Sequence, residues 1–121
     1  MKASERATQL WAVLALAARH RQTLTYDLAA QLIGVARQGI GQLLEPIQSY
    51  CLLNHLPALT SLVVAKDTGL PSHGFTAADA SKVPAAQARV FDHDWLAHGC
   101  PTPDQFEDAV RKHPSRGSTE S

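Results

Sequence analysis

The stretch from Thr25 to Gly41 constrains the fold of this chain more than any other feature of it. Thr25 stands where a hydroxyl can accept from the free N–H groups of a helix opening at Tyr26. Gly34 stands where that helix must leave the right-handed region. Between them Leu28, Ala29, Leu32 and Ile33 recur at helical spacing and predict the inner stripe of a helix Tyr26–Ile33. A further helical segment is predicted to begin directly after, at about Ala36. A short helix, a glycine turn and a longer helix in immediate succession read as a helix-turn-helix.

The flanking segments extend this order. Residues 4–19 read as a first helix with Ser4 as N-cap and Glu5 in its first turn. Leu10, Val13, Leu14 and Ala17 share one face, which Trp11 and Leu16 widen. Gln22-Thr23-Leu24 is a short connection. In the third helix Gly39 and Gly41 each weaken the helix by about 1 kcal/mol relative to alanine, a cost accepted where a backbone must approach a neighbouring helix or a ligand. Pro46 predicts a kink, or a break with Pro46 opening a new helix. The helical pattern then runs through Ile47, Tyr50 and Cys51 to about Asn54.

Leu59 to Val64 is short and β-branched and reads as a strand. Lys66-Asp67-Thr68-Gly69 is a turn, and Leu70 to Phe75 is an irregular return arm, together a hairpin or half-formed wing. Residues 76–84 read as a loop. Pro84 opens a helix to about Phe91 or beyond, with Val90, Phe91 and Trp95 as anchors. Thr102-Pro103-Asp104 starts a last helix, which ends near Lys112 and turns Phe106, Ala109 and Val110 inward. Residues 114–121 are a polar tail. The fold expected is α+β, mostly α: a winged-helix-like core, a short hairpin and two C-terminal helices in one domain, residues 1–113.

Composition narrows the function classes. With 121 residues, 45% of them hydrophobic and 18% charged, the chain suits one soluble domain. No apolar run approaches the roughly 18 residues a membrane helix needs, and no basic segment precedes an apolar one as in a signal peptide. A cytoplasmic protein without membrane contact is expected, its Cys51 and Cys100 reduced. The formal net charge is zero, with a balance of +2 over residues 1–55 and −2 over the remainder, so a basic face is permitted but not required.

In a helix-turn-helix the first helix supports a second whose leading residues enter a nucleic-acid groove. Arg37 and Gln38 stand at that leading end with donors for phosphates or base edges. The expected nucleic-acid site is therefore Arg37, Gln38, Gly39 and Gly41, with Tyr26 donating to a phosphate and Arg19, Arg21 and Lys66 adding charge. The alternative at this point is a three-helix core packed on a hairpin with no nucleic acid involved.

The runs Thr25-Tyr26-Asp27-Leu28-Ala29, Ile33-Gly34, Arg37-Gln38-Gly39-Ile40-Gly41 and Leu56-Pro57 before Leu62-Val63-Val64 resemble the DNA-binding domain of O6-alkylguanine-DNA alkyltransferases and alkyltransferase-like proteins. That family has a T-Y-x-x-L-A helix, an R-A-V-G recognition helix and an I-P-C-H-R-V segment before a glycine-containing hairpin. The resemblance spans residues 24–75 and implies a winged-helix architecture that meets DNA. The reactive cysteine and its histidine are replaced: Ala58, Leu59 and Thr60 follow Pro57, so the resemblance implies no alkyl transfer, which needs an activated thiolate. Arg37 also stands one residue early when Ile40-Gly41 is matched to V-G.

Other constellations are weaker. His93, Asp94, His98 and Cys100 include metal-ligand types, but their spacing matches no common zinc pattern. Cys51 reads as a buried inert thiol. No carboxylate pair or phosphate loop suggests catalysis. A non-enzyme without cofactor or metal is expected. Phe91, Trp95 and Phe106 read as a clamp on the N-terminal bundle or, alternatively, as a partner or homodimer surface. Two functions stay open: nucleic-acid binding, and an adaptor or inhibitor that binds another protein, of the kind mobile elements and phages carry.

Overall fold

The structure is a computed structural model that describes residues 1–71 and 77–114. It is mostly helical: α1 Ala3–Arg19, α2 Tyr26–Ile33, α3 Ile40–Leu53, α4 Val83–Asp92, α5 Trp95–His98 and α6 Pro103–Lys112. Two strands, β1 Leu24–Thr25 and β2 Val63–Val64, pair in parallel with Leu24 opposite Val63 and Thr25 opposite Val64. Among the described residues, three 3₁₀ turns, Arg37–Gly39, Leu59–Leu62 and Ala77–Lys82, complete it. No helix among the described residues is long and apolar enough to cross a membrane.

Local chemistry sets most element ends. The Thr25 hydroxyl accepts from the Leu28 N–H, and Gly34 ends α2 in the left-handed conformation at φ 75°. Thr102 caps α6, with the Gln105 side chain returning a bond to the Thr102 N–H at 2.8 Å. At α1 the N-cap is Lys2 rather than Ser4. Ser4 is instead buried in the first turn, and its hydroxyl donates to Glu107 of α6 at 2.7 Å.

α3 forms the floor, packing on α1 and α6, and α4 rests on the Leu59–Leu62 turn. Trp11 is the hub. Its ring meets Tyr50 and Trp95 edge-on, each at 5.5 Å between centroids, and Phe106 at 6.0 Å. The Trp95 indole N–H donates to the Val90 carbonyl at 2.8 Å, which fixes α5 against α4. The three C-terminal helices are thus clamped to the N-terminal bundle by rings from four different helices.

Several expectations change. No return strand is found among the described residues, and the arm beyond Pro71 lies outside them. Residues 59–64 are all buried, so they are not the half-exposed arm of a wing. Leu59–Leu62 coils into a turn, and Val63–Val64 finds its partner thirty-nine residues back, in β1. A return bond from the Ala65 N–H to the Leu70 carbonyl, 2.9 Å, closes the Lys66–Gly69 turn. α3 starts only at Ile40, after a 3₁₀ turn, and runs unbroken through Pro46. The carbonyl left without a donor by Pro46 belongs to Gln42, an exposed residue that solvent reaches. Gly39 and Gly41 do not serve close packing, since an added Cβ would meet nothing within 4 Å at either. Leu16, Leu28, Leu32 and Val110, expected inside, are exposed.

Candidate functional site

α2, the Arg37–Gly39 turn and the first residues of α3 build one edge of the molecule. Ile40 is fully buried and pins α3 to the core, while Arg37, Gln38 and Gln42 on either side of it are exposed. Arg37 and Gln38, in the turn that leads into α3, therefore project from the fold, and no C-terminal segment among the described residues covers them. At the far end of α2, Arg6 of α1 donates to the Ile33 carbonyl at 2.7 Å and ties the supporting helix to the bundle.

Arg37 does not wave free. Its Nε lies 3.0 Å from Oδ1 of Asp27, and the guanidinium carbon sits 5.9 Å from the Tyr26 ring centroid. Sequence reasoning missed Asp27. Ten positions separate it from Arg37, and only the reversal at Gly34 brings the two together. The parallel register carries Lys66 to the same end of the sheet, since β1 leads into Tyr26 where β2 leads toward Lys66. Arg37 and Lys66 are matched in number by Asp27 and Asp67 here, so this edge is polar rather than basic.

The eight residues expected to meet nucleic acid thus divide. Tyr26, Arg37, Gln38, Gly39, Gly41 and Lys66 belong to this edge. Arg19 and Arg21 do not: they precede β1 and stand at its opposite end. Arg21 pairs with Asp92 at 3.3 Å and lies 5.3 Å above the Phe91 ring. Arg19 lines a cavity of about 270 Å³ with Asp92, His93, Asp94 and Trp95.

The expected aromatic partner surface is corrected as well. Trp95 and Phe106 are core residues, 3% and 0% exposed, and Phe91 is half-buried under Arg21. Their apolar area is already spent on the clamp. The exposed apolar stripe lies instead on α2, at Leu28 and Leu32, 41% and 55% exposed.

Two of the remaining chemistry-bearing residues, Asp94 and His98, serve local structure. Asp94 caps α5 through the Ala97 N–H, and His98 Nε2 shares a 2.9 Å hydrogen bond with the Tyr50 hydroxyl. Among the described residues no group of three or more His, Cys, Asp or Glu could hold a metal ion. Burial pushes the Cys51 thiol up to about 12, far from a nucleophile's range, and pushes Cys100 upward too. No family model matches the chain, and no curated protein and no solved structure matches it.

Proposed function

We propose that this is a non-catalytic nucleic-acid-binding protein that meets duplex DNA with the turn leading into α3. The observation that carries the reading is the projection of Arg37 and Gln38 beside a fully buried Ile40. A rigid anchor directly behind two exposed donor side chains is what groove recognition requires. Tyr26 stands beside Arg37, and Lys66 leaves the sheet at the same end, where each can reach a phosphate. The resemblance of residues 24–75 to an alkyltransferase-like DNA-binding domain supports the same face. The setting proposed is the cytoplasm, where both cysteines stay as thiols.

With Lys66 as the phosphate cation, log affinity falls with log salt at a slope of about −0.9. Affinity for a short duplex then drops about 3.5-fold between about 50 and 200 mM salt. Arg37→Ala removes a groove contact and lowers affinity at both salts by about tenfold. Fluorescence anisotropy of a labelled duplex measures both. An Arg37→Ala protein with unchanged affinity at both salts refutes the reading.

The α2 stripe favours a second reading. Leu28 and Leu32 lie one turn apart on an exposed helix face, the spacing by which an apolar helix edge engages a protein groove. In that reading Leu32→Lys abolishes partner capture while Arg37→Ala leaves it intact.

A further inference from the structure

We infer that Asp27 is a specificity-determining positioning residue, holding Arg37 to read a guanine edge in the major groove instead of roaming over phosphates. The inference rests on the nucleic-acid reading above and deepens it. A guanidinium offers two flat edges. Asp27 Oδ1, 3.0 Å from Nε, engages one of them, and the Tyr26 ring lies beside the plane. The edge formed by the two terminal nitrogens is left to a ligand. Two parallel N–H groups on that edge match the O6 and N7 acceptors of guanine.

Charge argues in the same direction. A residue meant to grip phosphate gains from an uncompensated cation, because affinity then comes from counterion release. Here the cation is half-cancelled at its source by a carboxylate, and the whole chain carries no net charge. Such a pair weakens attraction to every duplex alike. What it contributes is orientation: both side chains are about half exposed, and a lone arginine there would sample many rotamers.

Anisotropy titrations decide the matter with three short duplexes: G·C pairs in mixed order, A·T pairs in mixed order, and the G·C duplex with 7-deazaguanine throughout. The expected result for the wild type is a preference of about tenfold for G·C over A·T, lost with 7-deazaguanine because one acceptor of the pair is gone. Asp27→Asn is expected to bind both natural duplexes more tightly, with the preference near unity and a salt slope steeper by about 0.9. A merely structural role would not steepen that slope, and a melting curve of Asp27→Asn verifies that the fold is retained. If the wild type binds all three duplexes equally, or Asp27→Asn keeps the preference, the inference is overturned while the nucleic-acid reading stands. If the wild type binds no duplex, both fall.

Discussion

Both α1 and α3 end with a non-glycine residue forced into the left-handed region: Arg21 at φ 55° and His55 at φ 56°. The hydrogen bonds are alike. Gln22 N–H reaches back to the Ala17 carbonyl at 2.9 Å, and Leu56 N–H to the Cys51 carbonyl at 2.8 Å, the six-residue closure that ends a helix on a left-handed residue. A side chain there costs roughly 1–2 kcal/mol, and glycine removes that cost while adding about 0.5–1 kcal/mol of unfolded-chain entropy. His55 is exposed, so His55→Gly should stabilise by about 0.5–1 kcal/mol. For 121 residues, an unfolding entropy of about 2.1 cal/mol/K per residue converts this to a rise of about 2–4 °C in Tm.

Arg21→Gly has the same backbone gain but forfeits the ion pair to Asp92 and the stacking on Phe91. Exposed contacts of these kinds contribute about 0.2–1 and 0.5–1 kcal/mol. The two effects cancel, and Tm should move by less than about 2 °C. Thermal and urea melts of both variants followed by circular dichroism measure the difference. Arg21→Gly stabilising as much as His55→Gly would show that the Arg21 contacts contribute nothing. A destabilising His55→Gly would refute the strain argument itself.

Three further outcomes follow from the core and the site. Phe106→Ala, at a fully buried position against Trp11 and Tyr50, should cost about 3–5 kcal/mol in urea unfolding, far more than any exposed substitution on α6. Cys51 is held protonated in the folded chain up to about 12 against an ordinary 9.0, so the unfolded state releases its proton first. Stability should therefore decline as pH rises between those values, and Cys51→Ala should flatten the profile. Gly41→Ala, with open space for its methyl, should stabilise α3 by about 1 kcal/mol. If that methyl also lowers duplex affinity severalfold at constant salt, the glycine is there for the approach of DNA.

How much was legible in the sequence depended on how local each determinant is. The caps at Thr25 and Thr102, the stop at Gly34 and the extents of α2 and α6 were read directly, because each depends on groups within about one helical turn. The exposure of Arg37 and Gln38 followed from the same punctuation. Asp27 as the partner of Arg37 did not, nor did the separation of Arg19 and Arg21 from that edge, because both depend on where the chain returns after a turn.

The α2 stripe shows the limit most clearly. Its apolar residues span more than half the helix circumference, and at about 100° per residue Leu28 and Leu32 lie roughly 130° from the centre of Ala29, Ala30 and Ile33. Periodicity gave Leu28, Ala29, Leu32 and Ile33 as the inner stripe; the fold buries Ala29 and Ile33 together with Ala30 and leaves both leucines exposed. The partner of Val63–Val64 was likewise beyond reach of the sequence, since two β-branched residues state a propensity for a strand but carry no address. Local hydrogen bonding thus determined what each segment would become, and only burial against the Trp11 core decided which faces were left exposed.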